Sequence, residues 1–370
     1  MHVAFDVGPL RPRPAGVGTY VRSLAHALRD AKGLELTFIG RRPDAAGLPE
    51  DVRSLRRSAR LPYPAWVELL GTRDAVRAHA DVTHYTDGLV PLVRRGRVVV
   101  TVHDLTLVNE WRTHRPIRYP RIPFILLSPR LADRVIADSR ATADQLIRRT
   151  GTPARRIDIV PLAADPRFSP AQGAEAAEVA RRYGLEPGGY ILATGTTEPR
   201  KNHVRLIAAF DKWVTGSGDA DTRLAIAGSP GWGHAAVVRA ARGSVNSKRI
   251  IMPGYVPDAD LPALMTAAAA VAYPSLAEGF GLPVLEAMAC GAPVVTSNVS
   301  ATAELQGPAV IHVDPLDPAA IAGGIALAVE ARRGDGAMAA AQASAAAMYS
   351  WERTAAATMA VYEAPGRRDR

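Results

Sequence analysis

The chain has little cysteine and no long uninterrupted apolar run. Cys290 is its single cysteine, which excludes an internal disulfide and indicates a reducing compartment. We expect this thiol to be buried and inert. The longest apolar candidate, around residues 263–277, contains Thr266 and Pro274, and no run reaches the ~18 residues that span a bilayer. The first residues enter an apolar strand without a charged leader, so we expect no signal peptide and a cytoplasmic location.

Aromatic residues are also scarce, and they are not interleaved with the basic residues. They make up 6% of the 370 residues, and this distribution argues against a nucleic-acid partner. The charge is uneven, because residues 1–168 carry a net +11 and residues 169–370 a net −2. A basic first half suggests an anionic partner, such as the inner face of a membrane or a charged acceptor. A general arginine bias in the composition is the alternative explanation.

Short apolar runs alternate with helical patterns, which predicts parallel sheets covered by helices. A helix is expected over about 18–30. The predicted strands of the first half are 2–6, 35–39, 82–85, 98–102, 134–137 and 157–160. Those of the second half are 190–194, 223–227, 249–252, 270–273, 293–296 and 309–313. The pattern predicts an α/β protein with two Rossmann-like sheets and a cleft between them.

A proline-rich segment, 160–170, separates the two halves and predicts an interdomain linker. It divides the chain into an N-terminal domain at 1–168 and a C-terminal domain at 169–350. Helical spacing from Trp351 predicts a closing helix over about 351–366 that belongs with the first domain, and a frayed tail beyond it. Loops 41–65 and 109–123 are rich in Arg and Pro and are predicted to be irregular.

Two glutamates eight positions apart, Glu278 and Glu286, form the most informative motif. The glycines between them favour a tight turn, and Pro283 is well placed to open a helix with Glu286 in its first turn. Exposed N–H groups at such a helix start attract phosphate, and carboxylates accept hydrogen bonds from sugar hydroxyls. The alternative is a solvated loop acid and a second acid that complements the helix dipole.

Three other loops follow predicted strands. Gly16 opens a glycine turn before the first helix, but the turn lacks the G-x-G-x-x-G pattern, so NAD or FAD binding is not supported. His103 and Asp104 follow the strand 98–102, where polar residues are well placed to bind substrate. Arg200 and Lys201 lie in the turn 195–202, and this pair suits a diphosphate. A flexible turn, a structural histidine and a solvated basic turn are the respective alternatives.

Together these motifs resemble the family 4 retaining glycosyltransferases (GT4), which have the GT-B fold. The family pattern E-x7-E stands here as EGFGLPVLE, followed by AMACGAPVV, and GTTEPRKN resembles the family's diphosphate-binding turn. Less specific matches are GYVPDADLPALM (254–265), HDLT (103–106), ADSRAT (137–142), the VPLAAD linker and the glycine loop at 16–18. The resemblance extends over nearly the whole chain.

The resemblance implies that the first domain, 1–168, binds the acceptor, with loops 41–65 and 109–123 shaping its choice, and that the second, 169–350, binds the nucleotide sugar. It also implies roles for individual residues. Arg200 and Lys201 would hold the donor diphosphate and stabilise the leaving nucleotide. Glu286 would accept hydrogen bonds from the ribose, and Glu278 would contact the donor sugar. His103 would contact the transferred sugar near its reacting carbon.

Donor binding would extend to further residues. The turn after Glu278 would contribute Gly279, Phe280, Gly281 and Leu282, whose N–H groups reach the sugar and phosphates. Val256 would lie near the base, and Gly16 would approach the phosphate from the other domain. Ala15 stands where the family often has a second glycine, which alters the detail of that last contact.

The resemblance implies metal-independent transfer of a hexose with retention, by front-face attack in which the leaving phosphate helps take the acceptor proton. The donor would be a nucleotide-diphosphate sugar, with GDP-mannose the first choice and UDP-glucose-type or deoxysugar donors as alternatives. The acceptor would be a glycan, a lipid-linked glycan or a small molecule in polysaccharide biosynthesis, and no cofactor is expected. A transient covalent intermediate, a nucleotide-sugar epimerase of the same architecture and a non-catalytic anion- or membrane-binding protein are the alternatives.

Overall fold

The computed structural model describes residues 1–10, 16–41, 47–55, 61–333 and 336–365. It divides into two compact units. The first contains residues 1–109, 116–163 and the chain from Tyr349 onward, and the second contains residues 110–115 and 164–348. The predicted frayed tail and parts of the predicted acceptor loop 41–65 lie outside the described residues.

A parallel sheet forms the centre of the first unit. Its strands are β1 (His2–Asp6), β2 (Glu35–Ile39), β3 (Arg53–Ser54), β4 (Val82–Tyr85), β5 (Arg97–Val102), β6 (Arg134–Ala137) and β7 (Ile157–Ile159). Within the described residues they follow the order β3-β2-β1-β4-β5-β6-β7. The central strand β5 is a run of valines buried from Val98 to Val102, as expected for a strand covered by helices on both faces.

Helices cover both faces of this sheet. They are α1 (Val17–Arg29), α2 (Tyr63–Trp66), α3 (Thr72–Ala78), α4 (Thr106–Asn109), α5 (Ile122–Leu131), α6 (Arg140–Thr150) and the final helix of the chain, Trp351–Glu363. Shorter pieces are a π-helical turn at Val67–Gly71 and 3-10 turns at Pro116–Arg121 and Ala154–Arg156. Ser139 caps α6 by accepting a hydrogen bond from the Thr142 backbone N–H at 3.1 Å, which satisfies one of the open donors at the helix start.

The second unit repeats the arrangement with a second parallel sheet. Its strands are β8 (Tyr190–Thr194), β9 (Arg223–Ala227), β10 (Ile250–Gly254), β11 (Ala270–Tyr273), β12 (Val294–Ser297) and β13 (Val310–Val313). Their order among the described residues is β10-β9-β8-β11-β12-β13. The order reverses beside β8, as it does beside β1 in the first sheet, so each unit has a topological switch point where ligands bind in folds of this kind.

The helices of the second unit pack on both faces of its sheet. They are α7 (Gly173–Arg182), α8 (His203–Ser217), α9 (His234–Gly243), α10 (Leu261–Ala267), α11 (Leu282–Ala289), α12 (Pro318–Arg332) and α13 (Gly336–Ala346), so the final helix of the first unit is α14. The 3-10 turns are Trp111–Thr113, Pro199–Lys201, Ser247–Arg249 and Ser300–Glu304. The core lies between β8, β9, α8 and α12, with Phe210 and Ile325 fully buried.

Helix α14 is anchored in the first unit by polar contacts with distant segments. The Tyr362 hydroxyl lies 2.7 Å from Nδ1 of the buried His84 on β4, whose Nε2 lies 2.7 Å from the Thr101 hydroxyl. Thr101 in turn pairs with the Tyr20 hydroxyl of α1 at 2.8 Å. The Thr354 hydroxyl donates to the Pro161 carbonyl at 2.8 Å. A continuous buried chain of hydrogen bonds therefore joins α14 to the sheet and to α1.

The predicted fold class is confirmed, with two Rossmann-like parallel sheets and a closing helix. Each predicted strand is present within a few residues of its expected bounds. The sequence did not predict β3, which lies in the segment read as loop. In the described part of the chain no helix is both long and apolar enough to cross a bilayer, and Cys290 is buried.

Candidate functional site

Polar side chains gather at the carboxyl edge of the first sheet. Thr86 follows β4, His103 follows β5 and Asp138 follows β6. Because parallel strands end at one edge, residues from three separate chain segments meet there. Asp138 is held firmly in position, because it occupies the two-residue connection between β6 and the capped helix α6.

His103 has a hydrogen-bond acceptor on each ring nitrogen. Its Nδ1 lies 2.7 Å from Asp138 Oδ2, and its Nε2 lies 2.9 Å from the Thr86 carbonyl oxygen. Burial opposes the charged form, but the Asp138 carboxylate outweighs it and raises the pKa of His103 to about 9. The ring of Tyr20 meets the imidazole edge to face, with centroids 4.6 Å apart. The predicted sugar contact is therefore a largely buried imidazolium.

Gly16 directly precedes helix α1 and has a φ of +47°. Among the residues that the structure describes, none would lie within 4 Å of a Cβ atom at this position. The backbone conformation therefore favours glycine here, whereas the available space does not require it. Ala15, the departure from the family pattern, lies outside the described residues.

The basic turn of the second unit is fixed at the carboxyl end of β8. Gly195 has a φ of +110°, and its carbonyl oxygen would lie 2.0 Å from a Cβ atom at Gly228, so the two loops approach too closely for a side chain there. Asn202 ends the turn in the left-handed conformation. Its side-chain amide donates to the carbonyls of Pro274 and Pro315 at 3.0 and 2.7 Å. These contacts fix Arg200 and Lys201 at this edge of the sheet.

Arg200 and Lys201 share the carboxylate of Glu278. Arg200 Nη1 lies 2.5 Å from Oε2, and Lys201 Nζ lies 2.8 Å from Oε1. The three side chains are 13%, 12% and 10% exposed. Burial alone would raise the pKa of Glu278, but the two cations outweigh it and hold the pKa at about 2. The Tyr273 hydroxyl joins the cluster, donating to Glu278 at 3.0 Å. Two cations and one carboxylate leave an excess of positive charge.

The glutamate turn leads into α11, and here one expectation was wrong. The helix begins at Leu282, after Gly281 in a left-handed conformation with a φ of +104°. Pro283 is the second helical residue, so Glu286 lies beyond the first turn. The expectation failed because Gly281 permits a sharp entry that starts the helix one residue before the proline. Glu286 consequently sits on the side of the helix, one turn in from its start.

Glu286 lies among other acids. Burial raises its pKa to about 7, with further contributions from Asp165 and Asp258, while Arg167 and Lys201 oppose the rise. Arg167 is itself paired with Asp165 at 2.9 Å and with Asp258 at 3.6 Å. This group was not predicted from the sequence, because two of its members, Asp165 and Arg167, belong to the proline-rich linker.

The remaining predicted donor residues occupy buried or turn positions. Val256 is 4% exposed and follows Gly254, which has a φ of +78°, so only its backbone is available to a ligand. Phe280 is 7% exposed. Across the described ranges, no three His, Cys, Asp or Glu side chains are grouped closely enough to hold a metal ion.

The structure thus unites Arg200, Lys201 and Glu278, which the sequence predicted separately. It adds Asp138 and Tyr273, for which the sequence predicted no role. Asp138 carries the same signal as His103, a polar residue directly after an apolar strand, and that signal would have found it. Tyr273 is the last residue of β11, and an aromatic residue at the end of an apolar strand is predicted from the sequence to belong to the core.

Comparison with known proteins places both halves of the chain. Residues 180–346 match the model for glycosyl transferases group 1, and residues 14–168 match that for Glycosyltransferase Family 4. The O-antigen chain mannosyltransferase B of Escherichia coli is 31% identical over 87% of this chain and 88% of its own length.

Two other similarities extend the comparison. The D-inositol 3-phosphate glycosyltransferase of Salinispora arenicola is 33% identical over 62% of this chain, which spans 54% of that relative. The Anabaena protein HepE, solved in complex with UDP and glucose, shares the fold with a TM-score of 0.72 at 19% identity, covering 98% of this chain and 99% of its own.

The two parallel-sheet units are those of the GT-B fold, and the nearly full-length similarity to a named glycosyltransferase agrees with them. The chain therefore belongs to the family 4 glycosyltransferases of the group 1 type and is a hexosyl-transferring enzyme.

Proposed function

We propose that the enzyme transfers mannose from GDP-mannose, or a closely related hexose from its nucleotide diphosphate, to a glycan acceptor in surface polysaccharide synthesis. The Escherichia coli relative is an O-antigen mannosyltransferase, which supports mannose. The UDP and glucose bound to HepE support a nucleotide-sugar donor.

The observation that carries the proposal is the buried cluster of Arg200, Lys201 and Glu278. Breaking a sugar–phosphate bond leaves negative charge on the departing diphosphate, and preorganised cations stabilise it most strongly in a site with little water. We assign this role to Arg200 and Lys201. Glu278 fixes both cations through ion pairs of 2.5 and 2.8 Å and offers its carboxylate edge to the donor sugar.

Further donor contacts follow from the same family pattern. We assign the ribose hydroxyls to Glu286, the base to the backbone at Val256, and the sugar and phosphates to the turn after Glu278. In the other unit we assign a sugar contact to His103 and a phosphate approach to Gly16. Because Arg200 and Lys201 supply positive charge, we propose that transfer needs no metal, and unchanged turnover in excess EDTA is the expected result.

The donor is tested by incubating the protein with a panel of nucleotide sugars and measuring nucleoside diphosphate release with and without acceptor glycans. Release from GDP-mannose that rises with acceptor is expected. Release only from another nucleotide sugar would replace mannose, and sugar conversion without release would show an epimerase. A thermal-shift screen of nucleoside diphosphates identifies the base independently.

We further propose that the first unit docks on an anionic membrane that presents a lipid-linked acceptor. An exposed apolar patch supports this, formed by Leu69, Leu92 and Val93 at 68%, 51% and 74% exposure. Two hydrogen bonds connect the segments that form this patch. The Leu92 N–H donates to the Glu68 carboxylate at 3.1 Å, and the Thr72 hydroxyl donates to the Val93 carbonyl. Exposed arginines border the patch, at Arg73, Arg77 and Arg95. Apolar residues ringed by cations suit a membrane interface.

Sedimentation with vesicles tests this docking. Binding to vesicles that contain anionic lipid, and loss of binding in the variant Leu69→Ser with Val93→Ser, are expected. Equal binding to anionic and neutral vesicles would count against the proposal. The variant Val245→Ser is a matched control, because Val245 is 83% exposed in the second unit.

A further inference from the structure

We propose that Asp138 is a positioning residue for sugar transfer, and that it holds His103 as a permanent imidazolium whose two N–H groups are both bound to protein oxygens. The inference rests on the proposed sugar contact of His103. It assigns that residue the role of a fixed positive charge, and excludes it as the base that takes the acceptor proton.

The protonation state follows first from geometry. A neutral imidazole has one N–H donor and one bare nitrogen acceptor. Here Nδ1 faces a carboxylate oxygen at 2.7 Å and Nε2 faces a backbone carbonyl oxygen at 2.9 Å. The Thr86 carbonyl cannot donate, and the Asp138 carboxylate cannot donate while it is ionised. Burial raises the pKa of Asp138, and the charge and hydrogen bond of His103 oppose that rise. Beside an ionised Asp138, a neutral ring would leave one lone pair directed at an oxygen, so only the imidazolium satisfies both contacts.

Asp138 depends on this contact as strongly as His103 does. Its side chain is 2% exposed and that of His103 is 13% exposed. Within the residues that the structure describes, Asp138 Oδ1 has no hydrogen-bond partner. A buried carboxylate is costly without a counter-charge, so the imidazolium compensates an acid that would otherwise be isolated.

The other ionisable groups around the ring agree with a cation. Asp87 also raises the pKa of His103, as Asp138 and the Thr86 carbonyl do. Burial is the one influence that lowers this pKa. The nearby His84 is neutral, because burial and the His103 charge lower its pKa to about 3. The groups that interact with this pair from neighbouring elements are Tyr20, His84, Asp87 and Asp104. Asp87 is itself paired with Arg121 at 3.4 Å.

This arrangement decides what His103 can contribute. A general base must accept a proton on a bare nitrogen within hydrogen-bond reach of the acceptor, and both nitrogens here are already protonated and engaged. The ring can still offer its positive charge and its polarised C–H edge to sugar oxygens. The acceptor proton must therefore leave by another group, and the departing phosphate is the one that the proposed reaction itself supplies.

The variant Asp138→Asn separates charge from shape. The asparagine amide can turn its NH2 group towards Nδ1, so a neutral His103 with the proton on Nε2 satisfies every contact at unchanged volume. Asp158→Asn is the matched control, because Asp158 pairs with Arg134 at 2.5 Å and Arg134 begins the same strand that Asp138 follows.

Histidine NMR titration is the direct test, with the His103 signal assigned by its loss in His103→Gln. In the wild type His103 should stay protonated to about pH 9, and in Asp138→Asn its pKa should fall by two units or more. Asp158→Asn should leave it unchanged. An ordinary pKa in the wild type, or an unchanged one in Asp138→Asn, would overturn the proposal without reference to activity.

Kinetics with saturating donor provide the second readout. At pH 7.5 the kcat of Asp138→Asn should fall at least about fourfold, because a ring with a pKa of about 7 or less is at most about a quarter protonated there. Its ratio to the wild-type value should recover as the pH is lowered to 5.5 and the ring is protonated again. Asp138→Glu, which keeps the charge, should retain most of the raised pKa and of kcat. Full activity of Asp138→Asn at every pH would overturn the proposal. A wild type with protonated His103 but no transfer from any nucleotide sugar would instead refute the proposed function.

Discussion

The two units place ionic clusters at the same position of the fold but with different charge balance. In the first unit one imidazolium, His103, meets one buried carboxylate and a backbone carbonyl, so the cluster is neutral and its donors are engaged. In the second unit Arg200 and Lys201 share one carboxylate, so positive charge is left over. A balanced cluster suits a neutral sugar, and an excess of cations suits a diphosphate. The ends of the strands determine where each cluster lies, and the residues of the loops determine its net charge.

The largest expected effect comes from breaking the cationic cluster. Arg200→Ala should lower kcat/KM by roughly 10²–10³-fold, because one preorganised donor to developing charge is worth about 2.7–4 kcal/mol. Steady-state kinetics with a saturating acceptor measure it. Arg249→Ala is the control, since Arg249 forms an ion pair of 2.7 Å with Asp219 at similar burial in the same unit. Nearly full activity of Arg200→Ala would refute the phosphate assignment.

The next largest effect is on the pH dependence of the unfolding free energy, which should have opposite signs for the two clusters. The pKa of Glu278 is lowered to about 2, so its stabilisation is present above its unfolded value and is lost as the pH falls through 2. The pKa of His103 is raised to about 9, so its stabilisation is present below the unfolded value of about 6.5 and is lost as the pH rises through 9. Burial lowers the pKa of Lys201 and raises that of Asp138, so the net stabilisation of each cluster is smaller than the shift of one partner alone implies.

Urea denaturation from about pH 2 to about pH 10 covers both responses. Glu278→Gln should remove the acid dependence and keep the alkaline one, and Asp138→Asn should do the reverse. Loss of both dependences in either variant would show that the clusters do not act independently.

A smaller effect is expected on nucleotide affinity. With a pKa of about 7, Glu286 ionises between pH 6 and pH 8, and the carboxylate accepts hydrogen bonds from the ribose hydroxyls more strongly than the protonated acid does. Nucleoside diphosphate affinity should rise about tenfold over this range, since hydrogen bonds to charged groups contribute roughly 1.5 kcal/mol or more. Isothermal titration calorimetry measures the change. Glu286→Gln should bind weakly at every pH, and a persistent rise in that variant would exclude Glu286 as its origin.

The smallest effect should follow from Tyr362→Phe. It removes the hydroxyl that lies 2.7 Å from His84 and leaves that nitrogen buried, so stability should fall by about 1–3 kcal/mol. Chemical denaturation measures this loss. Because Tyr362 lies at the far end of the hydrogen-bond chain from His103, kcat should stay within about twofold, a change of at most about 0.4 kcal/mol. A large loss of kcat would show that the chain transmits strain to the site.

The sequence predicted the sheets because their strands are apolar runs bounded by glycine, proline and polar turns. Strand β3, Arg53–Ser54, could not be predicted, since two polar residues carry no periodicity and pair only because β2 lies beside them. The position of Glu286 was predicted wrongly because the helix begins at Leu282, directly after Gly281, and not at Pro283.

The cluster of the second unit was easier to predict from the sequence than the His103 and Asp138 pair of the first unit. Arg200, Lys201 and Glu278 lie in dense motifs, although the ion pairs across more than 70 positions appear only once the sheet brings the loops together. Asp138 lies in the weaker match ADSRAT and directly follows an apolar strand, but neither signal shows that its partner is His103. Thr86 contributes only its backbone carbonyl, which no sequence motif marks.

Helix α14 has a consequence for how the polypeptide is completed. Helix α14 follows the second unit along the chain and contributes Tyr362 to a contact with His84 of β4 and Trp351 to a contact with Tyr20 of α1. The first unit therefore gains this helix only after the second unit has been synthesised. A fragment that stops at residue 163 would expose the apolar faces of β4 and α1. Such a fragment should recover its fold when a peptide of residues 349–365 is added in trans.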